Sequence, residues 1–264
     1  MQPCPRANRH WLLPKPALFR LEKPGIIMKT NTPAQASWAT FTLFLLHGIM
    51  VGSWVPHIPL AKERLDVGPG VFGLALLAIA AGAVTAMPLT GAMINRYGSS
   101  RVSLVTGALF CIAFAGPVTA PTLVPFIIMG YLLGALIGSM DVAMNAHGIA
   151  VERKLKSPIM SMLHGGFSVG GMVGAFLGAH IALAGAACLI LLFIAVRFLL
   201  PRSIDKGLSD THFGWPTRAT IGLGLLCFLA LMAEGSVLDW SAIYFTAEFK
   251  VDAGTAGLGY AFFS

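Results

Sequence analysis

Hydrophobic residues fall along this chain in long, nearly unbroken blocks separated by short polar stretches. Seven blocks can be marked, at roughly 37–60, 69–94, 102–119, 122–150, 159–182, 184–200 and 218–248, and an eighth begins at 254. None shows the two-residue alternation of a half-buried strand, and each can supply the ~20 helical residues that cross a ~30 Å hydrocarbon core. Backbone facing lipid must satisfy its own hydrogen bonds, so blocks of this kind predict helices. The expected fold class is therefore an all-α membrane protein. A pattern also recurs between blocks. Arg64-Leu65-Asp66-Val67-Gly68, followed by Gly73-Leu74-Ala75, returns 186 positions later (64 to 250) as Lys250-Val251-Asp252-Ala253-Gly254, followed by Gly259-Tyr260-Ala261. At the same offset Trp54 meets Trp240 and Ala61 meets Ala247. Each copy joins one apolar block to the next, as in a chain built from two parallel halves.

Composition strengthens the membrane reading. The chain of 264 residues is 56% hydrophobic and only 11% charged, with mean hydropathy +0.77. A soluble domain carries about 25% charged residues, so this surface is made for lipid. The net charge of +7 could suggest nucleic acid, but its distribution argues for topology instead. Of the 18 Lys and Arg, only Lys62, Arg64 and Lys250 lie on one side of the alternating loops. The rich side, with the N-terminus, is expected in the cytoplasm. No nucleic-acid partner is expected. Short loops at 116–121 and 183–185 imply antiparallel neighbours. The domain reading is a basic, disordered N-terminal segment at 1–33, a six-helix bundle at 34–200, a loop between halves at 201–217 and the start of a second bundle at 218–264. Met28 is an attractive alternative start, with residues 1–27 outside the native product. Cys4, Cys111, Cys188 and Cys227 are too scattered for a disulfide framework or a metal knuckle and read as inert thiols.

Polar residues inside the blocks are the candidates for chemistry, because a charged group deep in hydrocarbon costs at least ~2.5–3.5 kcal/mol and marks a pathway, relay or partnered site. At ~1.5 Å rise per residue, His47 lies about 15 Å from the start of the first block and Glu234 about 24 Å from the start of the seventh. Both blocks are expected to be interrupted helices. The first carries Gly48, Gly52, Trp54, Pro56 and Pro59; the seventh carries Glu234, Gly235, Asp239 and Trp240. In the fourth block Gly138, Asp141, Asn145 and Gly148 share one face by their spacing of three and four, as a cavity lining or a packed interface would require. Gly166, Gly170, Gly174 and Gly178 form a four-residue stripe along the fifth block, broadened by Gly165 and Gly171 and flanked by His164 and His180. Such stripes let helices approach closely where lipid gives no hydrophobic drive for association. Gly166-Phe167-Ser168-Val169-Gly170 also fits the hydrolase elbow pattern, which needs a strand–turn–helix around its serine.

Between the second and third blocks the chain reads Gly91-Ala92-Met93-Ile94-Asn95-Arg96-Tyr97-Gly98-Ser99-Ser100-Arg101. Here it resembles the major facilitator superfamily, whose loop signature is Gly-x-x-x-Asp-Arg/Lys-x-Gly followed by basic residues. Gly91, Arg96 and Gly98 match; Asn95 replaces the acid, Ser99 and Ser100 replace basic residues, and Arg101 stands just beyond. Gly52-Ser53-Trp54-Val55-Pro56-His57-Ile58-Pro59 is similar to the MosC-like bacterial subgroup. So are Asp141-Val142-Ala143-Met144-Asn145-Ala146, Val151-Glu152-Arg153, His164-Gly165 and Ser168. The resemblance covers about 36–264 and implies a helical bundle with the first six-helix half, helix seven and the start of helix eight, the chain being cut near that point. It implies a secondary active transporter of a small solute by alternating access, proton-coupled, multi-pass in the bacterial inner membrane and monomeric at full length. Helices one, four and seven would line the central site, with His47, Trp54, Asp141, Asn145, Glu234, Asp239 and Trp240 on the substrate or proton pathway. Glu152 would pair with Arg96 or Arg101 in an inner gate. No cofactor, metal or catalytic residue is expected, and nothing resembles a nucleotide-binding loop. Two alternatives stand beside this: a non-transporting scaffold or remnant, and, remotely, an intramembrane serine hydrolase at Ser168.

Overall fold

Thr32 opens the first helix with a capping box: its Oγ1 accepts from the Gln35 amide at 3.2 Å and its own amide donates to Gln35 Oε1 at 3.0 Å. Pro33 follows at the first helical position, where its missing N–H is harmless. The computed structural model describes residues 32–178 and 217–264, with single positions between 185 and 199. Helix α1 (Pro33–Trp54) stops before Pro56, which has no amide to continue the ladder, and α2 (His57–Leu65) resumes beyond it. There follow α3 (Pro69–Tyr97), α4 (Ser99–Ala113), α5 (Ala115–Thr119), α6 (Leu123–Leu155) and α7 (Met160–Leu177). The last described elements are α8 (Arg218–Phe249), α9 (Ala253–Ala256) and α10 (Leu258–Phe263). No strand occurs among the described residues.

Six stretches among the described residues are long and apolar enough to cross a membrane: Pro33–Leu65, Pro69–Tyr97, Ser99–Thr119, Leu123–Leu155, Met160–Leu177 and Thr220–Phe249. They fall on the first five blocks and the seventh. The sixth block lies largely outside the described residues, as do the loop at 201–216 and the N-terminal segment up to 31, including Met28 and the expected disorder. The first span is interrupted where its prolines predict. The seventh is not: α8 runs unbroken through Gly235, because an isolated glycine without a following proline only weakens a helix.

α1 packs lengthwise on α7, α3 on α6, and α4 against α6. The core joins Leu43, Phe44 and Met50 of α1 to Phe72, Phe110, Phe126 and Leu133. Within it, aromatic rings adjoin one another: Trp54–Phe114 at 6.2 Å, Trp54–Phe126 at 6.3 Å and Phe72–Phe126 at 5.7 Å between centroids. The outward faces are apolar as well, with Leu74, Leu89, Val124, Leu132 and Phe176 exposed. A protein that is apolar inside and out is built for lipid.

Glycine sets the two closest helix pairs. A Cβ on Gly170 would fall on the Leu45 carbonyl oxygen, and one on Gly174 on the Ile49 carbonyl oxygen; reciprocally, Gly48 faces Phe167 O and Gly52 faces Gly171 O. In the other pair, Gly82 of α3 lies against Tyr131 O and Gly134 of α6 against Ile79 O. Hydroxyls tie the seams: Ser53 Oγ donates to Gly174 O at 3.3 Å, and Thr90 Oγ1 to Ser139 Oγ at 2.8 Å.

The repeated segment lies at corresponding joints but in different local register. In the first copy Asp66 is the left-handed residue that ends α2 (φ 51°) and Gly68 precedes α3. In the second, Lys250 takes the left-handed position (φ 55°) and Asp252 caps α9, its carboxylate accepting from the Thr255 amide at 3.0 Å and from the Thr255 hydroxyl. Aspartate suits both tasks, since its short side chain can cap a helix or tolerate a left-handed backbone.

Candidate functional site

Trp54 at the end of α1 and Asp239 in α8 line one cavity of about 220 Å³. Its walls come from α1, α3, α4, α6 and α8: Val51, Leu76, Ile79, Phe110, Leu133 and Leu238 among them. Helix α8 reaches the site because its C-terminal third docks on the bundle. Ala242 is fully buried there among Val55, Ala175, Tyr260 and Ala261, with Val237, Leu238 and Phe245 packed around them. Asp239 is the only charged side chain among the residues lining the cavity. Among the described residues no hydrogen bond or ion pair reaches its carboxylate. The Trp54 indole Nε1 is likewise buried without a hydrogen-bond partner.

The other candidates on the expected pathway lie elsewhere. His47 is 2% exposed, wedged between the rings of Phe110 (5.5 Å) and Phe167 (5.7 Å), with Nδ1 unbonded. Asp141 and Asn145 form a separate half-buried pair, Asn145 Nδ2 donating to Asp141 Oδ1 at 3.2 Å and to Asp141 O at 2.9 Å. His164 of α7 lies within electrostatic reach of Asp141 and meets Phe44 edge-on at 5.2 Å. The two glycines that share the Asp141 face by spacing do packing instead: Gly138 lies against Ala83 and Gly148 against Leu163 and Met160. Glu234 is exposed on α8, one side of it within electrostatic reach of Tyr260. Trp240 sits against Gly73, where a Cβ would come within 3.3 Å of its ring.

The loop between the second and third spans tightens around Gly98, which carries φ 89° and both ends α3 and begins α4; a side chain there would be strained. Arg96 is exposed and lies over the Tyr97 ring at 5.3 Å. Asn95 and Arg101 are exposed too, and Gly91 has open space around it. Glu152 makes contacts other than the implied arginine pair. Its Oε2 accepts from the amides of Ile159 (2.8 Å) and Met160 (3.0 Å), so it caps α7, and among the described residues no ion pair joins it to Arg96 or Arg101. The physical reason is local: the four free amides of a helix start attract a carboxylate delivered by the preceding turn. Elsewhere on α6, His147 Nδ1 and Ser99 Oγ share a buried 2.8 Å hydrogen bond. His147 lies about two turns before the end of α6 and Ser99 opens α4, 48 positions away, so no local pattern in the sequence links them. His57 of the Gly52–Pro59 segment holds Gly178 O at 2.7 Å, and Arg64 holds Ala120 O and Pro117 O at 2.9 and 3.1 Å.

Ser168 lies inside α7, which is helical throughout, so the strand–turn–helix of a hydrolase elbow does not form there. His180 falls outside the described residues.

No protein-family model matches the chain. It is 35% identical over 253 residues to an uncharacterized MFS-type transporter of Yersinia pestis, covering 92% of this chain and 64% of that protein. It is 31% identical over 239 residues to an uncharacterized transporter of Sinorhizobium fredii, covering 84% and 62%. With the membrane protein MosC of Rhizobium meliloti it shares 30% over 235 residues, covering 84% and 56%. The chain belongs to the major facilitator superfamily, in its MosC-like group. As a member of that superfamily with six membrane-length stretches among its described residues, it is a multi-pass membrane protein. The chain spans less than two thirds of the length of each of these relatives.

Proposed function

We propose that the protein moves a small solute across the membrane by alternating access, coupled to protons, with the Trp54–Asp239 cavity as the solute site. The observation that carries this is the cavity itself: α8 brings a lone carboxylate against an aromatic wall built by the preceding spans, in a chain whose relatives are named as transporters. A carboxylate in an apolar interior is a natural proton carrier and solute contact. Asp141, Asn145 and His47 act beside the site in the proton path, and Glu234 and Trp240 on the α8 side. The loop from Gly91 to Arg101, with Glu152, forms the cytoplasmic gate. The glycine seam of Gly166, Gly170, Gly174 and Gly178 against α1 keeps that pair rigid as the bundle rocks. The N-terminus lies in the cytoplasm, the membrane is the bacterial inner membrane, and the boundary between halves lies at 201–217.

Gradient-driven uptake of labelled solutes into liposomes carrying the whole chain tests this. Uptake of some solute should depend on an imposed proton gradient and be lost in Ala83→Trp, which fills the cavity. Uptake that survives Ala83→Trp would remove the cavity from the pathway. A second reading, a membrane scaffold without transport, is favoured by the apolar residues of α8 from Ile221 to Met232, which are exposed on every side. Failure of every solute across a screen of sugars, polyols, amines and drugs would decide for it.

A further inference from the structure

The Trp54–Asp239 cavity encloses one formal negative charge and no positive one. An unpaired carboxylate in an apolar enclosure must be neutralised, either by a proton or by a cation that enters with it. The walls favour a particular kind of cation. Trp54, Phe110 and Phe114 make a continuous aromatic surface, with Trp54 edge-on to Phe114 at 6.2 Å and Phe110 at 6.3 Å from Phe114. Aromatic faces attract ammonium groups through the ring quadrupole, most strongly where water is excluded. Apart from the Asp239 carboxylate and the Trp54 indole N–H, the lining is hydrocarbon, with Leu76, Ile79 and Leu133 completing it. At about 220 Å³ the cavity lies below the ~300–1,000 Å³ that holds drug-sized ligands, so its occupant is small.

We propose that this cavity selects small apolar monocations, ammonium ions with alkyl or aryl substituents, the charge set against Asp239 and the substituents against Trp54, Phe110 and Phe114. The proposal rests on the transporter reading and gives it a substrate class. The competing classes fit less well on the same residues. A sugar or polyol would leave several hydroxyls unbonded against Leu76, Ile79 and Leu133, each a buried polar group without a partner. An anion would face Asp239, and a neutral hydrocarbon would leave its charge unpaired.

The test is equilibrium binding of radiolabelled benzyltrimethylammonium to the purified whole chain in detergent. Saturable binding is expected, displaced by other small ammonium ions and not by sorbitol or phenylacetate. In Asp239→Asn the affinity should fall on the order of tenfold or more, through loss of a desolvated ion pair while the aromatic wall stays in place. Phe114→Leu should weaken binding less and serves if Asp239→Asn does not fold. No saturable binding to the wild type, equal affinity in a folded Asp239→Asn, or displacement by sorbitol would overturn the proposal. The two readings fail separately. Liposome uptake of a neutral solute that Ala83→Trp blocks, without ammonium competition, would sink the substrate class and keep the transporter. Asp239-dependent ammonium binding with no uptake of any solute would sink the transporter and keep the cation site.

Discussion

Helices α7 and α8 look alike in sequence and behave in opposite ways. Both are apolar, both are long enough to cross a membrane and both carry several glycines. In α7 the glycines are contact points: Gly166 meets the Phe41 ring, Gly170 and Gly174 meet backbone carbonyls of α1, and a Cβ on Gly178, the residue just after the helix, would strike Pro56. In α8 a Cβ on Gly222, Gly224 or Gly235 would touch nothing within 4 Å. α8 is held instead by larger side chains near its C-terminal end, around Ala242. Glycine content alone is therefore no packing signal. A spacing of four, which stacks glycines on one helix face, is what lets a neighbouring backbone settle into the groove.

The severest way to break the comparison is Gly170→Leu. A leucine there must displace the α1 backbone at Leu45 and Ile49, since no flexible side chain stands in the way to yield. Overpacking a close helix seam costs on the order of 3 kcal/mol or more. The variant should run as aggregate on size exclusion in detergent, or melt far below the wild type. Gly48→Ala, on the other face of the same seam, should lower the melting temperature by a smaller step, about 1–3 kcal/mol in stability. A wild-type melting curve for Gly170→Leu would mean that α1 and α7 do not approach as closely as described.

That seam was half legible beforehand. The α7 stripe is a local pattern, and its period of four can be read without knowing the partner. The pairing cannot be read in this way: Gly48 and Gly52 are also four apart, but only the fold shows them facing Phe167 and Gly171. The spans were legible for the same reason as the stripe, because hydrophobicity is summed over neighbours in sequence. The candidate residues divide along this line. Asp141 and Asn145, four apart on one helix, were grouped from spacing and do bond each other. Trp54 and Asp239 share a pathway only by the family resemblance; no local pattern joins them, and the docking of α8 on the bundle brings them to one cavity. His147 and Ser99, 48 positions apart, escaped notice because a buried bond between helices leaves no local periodicity. Glu152 was assigned by resemblance to an arginine, whereas the nearer free amides of α7 claim it here.

How α7 begins and how α8 ends sharpen the contrast further. α7 borrows its cap from another helix, so Glu152→Ala should release two backbone donors and loosen α7 from α6, lowering stability by about 1–3 kcal/mol. Thermal unfolding in detergent reads this, and a change smaller than that of an exposed surface substitution would show that water replaces the cap without loss. The joint after α8 depends instead on Asp252, an exposed residue on a short loop. Hydrogen bonds from the Thr255 side chain and amide hold its carboxyl below the usual range. The sign follows: with the folded value lowered, the stabilisation is fully present above the ordinary aspartate value of about 4 and is lost as pH falls through the lowered one. Hydrogen exchange at the α8–α9 joint should therefore be flat from neutral pH down to the ordinary aspartate value, once corrected for intrinsic rates, and rise only in more acid solution. Asp252→Asn, which keeps a capping oxygen, should abolish that acid step with little change at neutral pH. An acid step that persists in the variant would assign it to another group.

The smallest expected effect is the most discriminating. Gly224→Ala and Gly170→Ala make the same chemical change in two lipid-spanning helices, and intrinsic propensity favours both, by roughly 0.5–1 kcal/mol for a helix interior. In α7 that gain is overwhelmed, because the new methyl group lands on the Leu45 carbonyl oxygen. In α8 nothing opposes it, so Gly224→Ala should leave the melting temperature unchanged or raise it slightly. Opposite signs in one detergent and one assay would separate packing from propensity without any estimate of either. If Gly224→Ala lowered stability as much as Gly170→Ala, a close neighbour would lie against α8 at that level, and the contrast between the two helices would belong to this arrangement of the chain rather than to its sequence.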